Sequence, residues 1–402
     1  MSESSRLRYP WGTRLRLLLL FLTASLQSFE WQAVALRHLG REQAAVQLGL
    51  ASGFGILVTV LSLSALTLRG TPLGITPIPS RLLLLNSLFS WVTSVYWDDW
   101  AWAPTLMLVI CSLQSSLFLL SHSVEIASTQ RQNPAEYPAV RAFGSVGYLA
   151  AALLSQTFTG RLFPGVTVLG ILLWLTPGLV RDLAPSATAA HPGRVSLLKL
   201  LPLLLAGLLS TATARGFDTY GAILLRDSTQ HGLWWLTVLI LSEIVLLHTV
   251  SPRMRDLRWL LALGPIVWTV TYLLFQQQLT MPVIALSMTL VGFNCPVQVA
   301  LQTITGRTYR ASASVLATVA VAGALGAFLA NLAFKAGGTA GFGVLPLALA
   351  ISAGAIPLML LCISRIPSPI PTPADSPPTT PAAADDRTRG PWAGFARSQR
   401  KR

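Results

Sequence analysis

Apolar runs long enough to cross a bilayer recur along most of the chain, from Leu15 to Ile363. A membrane-spanning helix needs about 20 such residues, because hydrocarbon offers no partner to an unpaired backbone N–H or C=O. With short connections, that stretch has room for about twelve helices and almost nothing else. The ~10-residue alternating strands of a transmembrane barrel are absent. Only 11% of the residues are charged, 52% are apolar and mean hydropathy is +0.59. These values exclude a soluble enzyme, a disordered chain and a disulfide scaffold. The fold class expected is an all-α membrane protein.

The hydropathy pattern predicts helices over about 15–36, 44–68, 82–97, 101–126, 142–163, 165–180, 199–225, 232–250, 257–275, 280–304, 312–335 and 342–363. The start, with Arg14 and Arg16 before LLLLFL, has the look of a signal peptide. Further spans follow at once, and Glu30 stands where a cleavage region would lie, so a first span is the better reading. The net charge of +14 would suggest a nucleic-acid partner in a soluble protein. Here the cations mark topology instead. All but six of the 29 Lys and Arg fall on one set of alternate connections and the two ends. Arg37, Arg41, Arg161, Arg226 and Lys335 fall on the other set, and Arg215 lies inside a span. The positive-inside bias puts both termini in the cytoplasm and requires an even number of spans.

The longest connection, around 181–198, contains Pro185, Pro192 and Gly193. It divides the chain into an N-terminal six-helix half (1–180) and a C-terminal six-helix half (199–364). Two such halves suit alternating access around a site between them. Residues 365–402 are rich in Pro, Ser, Thr and Ala and end in basic residues, the composition of a disordered cytoplasmic tail. Cys111, Cys295 and Cys362 all lie in apolar segments, which predicts buried thiols rather than a disulfide.

Ionisable residues inside spans are costly and become candidates for function. They are Glu30, Glu125, Arg141, Arg215, Asp218 and Glu243. Glu243 is central in LTVLILSEIVLLHTV, whereas Glu30 lies near a span end and has a way out to water. Arg215 and Asp218 share a helix face at i,i+3 spacing and can pair. Gly49 and Gly53, and Gly323 and Ala327, have the small-xxx-small spacing of close helix packing. No P-loop, HExxH, CxxC or GxSxG motif is present, and no cofactor or metal site is indicated. The chain does not read as an enzyme.

Several segments resemble one family in order along the chain. Arg141-Ala-Phe-Gly-Ser-Val-Gly-Tyr148 is similar to the R-x-F-G-x-V-G-W segment of the lactose permease and phenylpropionate-permease-like branch of the major facilitator superfamily. Glu125 resembles the fourth-span glutamate that partners that arginine in sugar binding. Arg215-Gly-Phe-Asp218 resembles an acidic-x-Phe-Asp segment, Glu243 the family's membrane glutamate, and Phe293-Asn-Cys-Pro296 an F-E-x-P segment. The departures are as informative. The Arg69–Arg81 connection lacks the G-x-x-x-D-R-x-G-R signature. Arg215 replaces an acidic residue, Val291 stands for a histidine, Asn294 for the proton-carrying glutamate and Leu246 for a sugar-binding asparagine.

The resemblance implies the major facilitator fold and secondary transport of a small polar or anionic solute: a sugar, nucleoside or aromatic acid. Glu125, Arg141, Tyr148 and Glu243 would bind substrate. Glu30, Arg215, Asp218, Glu243 and Asn294 would supply ion pairs or proton coupling, with coupling weakened or moved by the amide at Asn294. The expected setting is a bacterial inner membrane, as a monomer in the lipid bilayer with no nucleic-acid partner. A multidrug exporter and a non-transporting sensor or assembly subunit are the rival readings. The buried charges weigh against a mere scaffold.

Overall fold

The computed structural model of the protein describes residues 11–40, 43–44, 46–51, 54–55, 88–97, 105–106, 109, 137–158, 162, 164–169, 197–221, 223–225, 232–249, 257–277, 279–309, 313–341 and 343–367. They are overwhelmingly helical: α1 (Trp11–Leu39), α2 (Tyr137–Thr157), α3 (Leu197–Gly216), α4 (Leu236–Thr249), α5 (Arg258–Phe275), α6 (Met281–Val291), α7 (Asn294–Tyr309), α8 (Ala313–Thr339) and α9 (Val344–Arg365). A π-helical turn, Phe217–Gly221, prolongs α3, and a 3₁₀ turn, Gly232–Trp235, leads into α4. Short helical stretches at 46–51, 88–95 and 164–169 fall within three further expected spans. Among the described residues, five segments are long and apolar enough to cross a membrane: Leu198–Gly216, Arg258–Phe275, Met281–Thr305, Val321–Gly338 and Val344–Arg365.

Each element lies where hydropathy predicts a span, with two interruptions. The expected helix over 280–304 is two, α6 and α7, separated by Gly292 and Phe293. Pro296 has no N–H to donate to the Gly292 carbonyl, so the ladder breaks there, and Pro296 is tolerated in the first turn of α7. The expected helix over 199–225 widens into the π turn at Phe217. The first span begins at Trp11 and the eleventh runs to Thr339, both longer than their apolar cores.

Contacts give the directions. Leu18 of α1 touches Gly147 of α2, and Glu30 touches Ser155, so α1 and α2 run side by side in parallel. Ser145 meets Glu243 near one end of α2 and Gln156 lies against Gly232 near the other, so α4 is antiparallel to α2. Close approach depends on missing side chains. A Cβ at Gly147 would collide with the Leu18 carbonyl oxygen, and one at Gly326 of α8 would collide with the Leu208 carbonyl oxygen of α3. The small face of α8 therefore includes Gly326 beside Gly323, and Ala327 is fully buried.

One apolar core runs from Phe29 and Trp31 of α1 through Ala151 and Ala152 of α2, Phe217 and Tyr220, Ile240 of α4, Trp268 and Tyr272 of α5, to Phe334 and Ala348. A second is built only from later elements: Leu203, Leu260, Val297, Ile304, Val319 and Met359. Cys295 and Cys362 are buried, as expected, and Cys111 lies outside the described residues.

Candidate functional site

Buried polar groups in this bundle must find partners inside it, and those partners define the site. On α2, Ser145 and Tyr148 are three residues apart and share a face. Ser145 Oγ donates to Glu243 Oε1 of α4 at 2.5 Å, with both residues buried. Arg141 is one turn before Ser145 on α2, which puts its backbone position at the start of the same face. Its side chain, and all of Glu125, lie outside the described residues. The Tyr148 ring packs on Phe29 of α1, with centroids 5.2 Å apart. Residues from α1, α2 and α4 thus converge.

The second group surrounds Arg215. Its Nη1 lies 3.5 Å from Asp218 Oδ2, forming the pair expected from i,i+3 spacing. Its Nη2 also donates to the Gly49 carbonyl oxygen at 3.4 Å. Asn331 Nδ2 of α8 donates to that same carbonyl at 2.6 Å. A single backbone oxygen near the second span's start therefore receives donors from two segments of the C-terminal part of the chain. Arg215 is buried, whereas Asp218 is 43% exposed, so the pair is asymmetric.

Glu30 departs from its expected outlet to water. It is fully buried, accepting from Ser155 Oγ at 2.8 Å and from the Leu162 N–H at 3.3 Å. It ties α1 to α2 and to the chain just beyond, and stands apart from the Glu243–Ser145 group. Asn294 opens α7, and its Oδ1 is buried with no partner among the described residues.

Sequence reasoning missed Ser145, Asn331 and Tyr272. Tyr272 Oη donates to the Thr213 carbonyl at 2.7 Å and accepts the Phe217 N–H at 3.0 Å. Asn331 and Tyr272 carried one available signal each, a lone amide in GALGAFLANLAF and a hydroxyl in WTVTYLLF. Ser145 stood inside the Arg141–Tyr148 segment without being singled out. No group of metal-binding side chains occurs among the described residues.

No protein-family profile matches the chain, and no curated protein does. Solved structures do. The nucleoside transporter NupG in a point-mutant form aligns over 88% of this chain and 100% of its own, at 12% identity and a TM-score of 0.63. NupG itself aligns over 88% and 98%, at 12% identity and a TM-score of 0.56. The human organic anion transporter MFSD10 (TETRAN) aligns over 89% and 98%, at 16% identity and a TM-score of 0.61. Both are transporters, and at these identities the likeness is one of fold. The fold, with five long apolar segments among the described residues, is that of a multi-pass membrane protein.

Proposed function

We propose that this chain is a secondary transporter of the major facilitator type, moving a small polar or anionic solute by alternating access. It has twelve spans in two six-helix halves, residues 1–180 and 199–364, joined by the 181–198 connection. Both termini and the 365–402 tail face the cytoplasm of a bacterial-type inner membrane. The observation that carries this reading is that buried ionisable side chains of the C-terminal half find hydrogen-bond partners in the N-terminal half. Glu243 is held by Ser145, and Arg215 reaches the Gly49 carbonyl. A rigid scaffold gains nothing from such groups in hydrocarbon, whereas a site that opens, binds and closes needs them.

In this reading Arg141, Tyr148 and Glu243 bind the solute, with Glu125 as the partner of Arg141. The planar Arg141 fork suits paired hydroxyls or a carboxylate, and Tyr148 offers a ring on which a sugar or aromatic solute stacks. Arg215 and Asp218 form the neighbouring ion pair. Asn294 presents an amide where a titrating carboxylate would carry a proton, so any proton coupling passes to Glu243 or is lost. Glu30 is left as a structural acceptor. The fold neighbours, one a nucleoside and one an organic anion transporter, are compatible with this range of solutes.

A thermal-shift screen of the purified protein against sugars, nucleosides and aromatic acids tests the reading, since a ligand of the folded state raises the melting temperature by mass action. At least one class should stabilise the wild type, and Glu243→Gln and Arg141→Lys should abolish that shift without altering the melting temperature in the absence of ligand. Ligand shifts that survive both substitutions would remove these residues from the site.

A further inference from the structure

The interruption at the end of α3 has a chemical cause. In an uninterrupted α-helix the Phe217 N–H would donate to the Thr213 carbonyl, four residues back. Here the Tyr272 hydroxyl of α5 stands between them, accepting from Phe217 N–H at 3.0 Å and donating to the Thr213 carbonyl at 2.7 Å. Both backbone groups stay satisfied, and the helix opens into the π turn Phe217–Gly221. Gly216 leaves room for the insertion, since a Cβ there would lie 2.9 Å from the Tyr272 hydroxyl and would collide with the Ala348 Cβ. Tyr272 is itself fully buried and stacked on Trp268 at 5.7 Å.

The consequence falls on Asp218, the residue just after the insertion. Among the described side chains from Ala212 to Leu225, Asp218 alone is exposed; Arg215, on the other side of the insertion, is buried. Extra backbone in a turn rotates everything after it by up to one residue step, ~100°. The two residues still touch, at 3.5 Å, yet one is buried and the other exposed.

We propose that Tyr272 is a positioning residue: by inserting its hydroxyl into the α3 ladder, it opens the π turn that leaves the Asp218 carboxylate exposed while it stays in contact with Arg215. The proposal rests on the transporter reading only for what Asp218 then does; the placement itself does not depend on it. Without the hydroxyl, Phe217 N–H and Thr213 C=O bond directly, the helix regularises and Asp218 turns inward.

The test is carboxyl labelling of the purified full chain with a water-soluble carbodiimide and a primary amine, read residue by residue by peptide mass spectrometry. No solute is needed, so the result stands whether or not transport is found. Wild type should label at Asp218 and hardly at Glu30. Tyr272→Phe keeps the ring and its stack on Trp268, and should lower Asp218 labelling to the level of Glu30 while Glu243 is unchanged. Gly216→Ala combined with Ala348→Gly removes one clash and leaves that against the hydroxyl end of Tyr272, and should do the same. Wild-type labelling of Asp218 in either folded variant overturns the proposal. Failure of both variants to fold would make the inserted hydroxyl a structural pin and would overturn it equally.

Discussion

Arg215 and Asp218 touch, yet their surroundings differ, and that decides what each removal costs. Asp218→Ala leaves a guanidinium buried at 6% exposure with the Gly49 carbonyl as a remaining partner, which is insufficient for a full charge in a low-dielectric interior. Arg215→Ala leaves a carboxylate that is already 43% exposed and can be hydrated. Thermal melts should therefore rank Asp218→Ala as the more destabilising change, with the double variant above it in stability. The reverse order would mean that Arg215, not Asp218, has access to water. Glu30 gives a second case. Glu30→Ala removes the acceptor that the Leu162 N–H and the Ser155 hydroxyl share, at about 1–3 kcal/mol for a donor left unsatisfied. Glu30→Gln keeps the shape and one acceptor, so its melting temperature should fall less. Equal losses would show that charge, and not hydrogen bonding, holds α1 to α2. The ionisable members of the site were legible in the sequence because a charge in an apolar run has no bland place to go. Ser145, Asn331 and Tyr272 were not, because hydroxyls and amides are ordinary in spans and gain meaning only from what another helix places opposite them.

At the scale of the elements, hydropathy located the described helices because span length is imposed by bilayer thickness, a property of the solvent and not of the fold. The interruptions come from elsewhere. The α6–α7 break follows from Pro296 and was open to reading. The π turn after α3 depends on a hydroxyl from α5, which no local pattern encodes. Helix packing shows the same division. Small residues were visible on α8, but that Gly326 meets the α3 backbone at Leu208 depends on the rotation of both helices. Gly326→Ala drives a methyl into the Leu208 carbonyl and should lower the melting temperature by several degrees. Gly338→Ala, near the end of the same helix and with nothing within 4 Å of the new Cβ, should be neutral or slightly stabilising through helix propensity, by up to ~1 kcal/mol. Comparable losses from both would place the α3–α8 contact elsewhere.

For the molecule as a whole, the apolar core from α1 to α9 and the polar contacts Gly49–Arg215, Gly49–Asn331 and Ser145–Glu243 join segments that the 181–198 connection separates in sequence. Alternating access requires some of these contacts to break and reform while each half keeps its own packing. The core confined to Leu203, Leu260, Val297, Val319 and Met359 is of the kind that would persist through such a movement. The account therefore stands on transport itself. The direct measurement is counterflow in proteoliposomes: vesicles preloaded with an excess of a solute that stabilises the purified protein, diluted into a trace of the same solute in radiolabelled form. Transient accumulation of label in wild-type vesicles, absent from protein-free vesicles and from Glu243→Gln, is the result expected. Stabilising solutes that bind yet never exchange across the bilayer would contradict the account and leave a membrane receptor in its place.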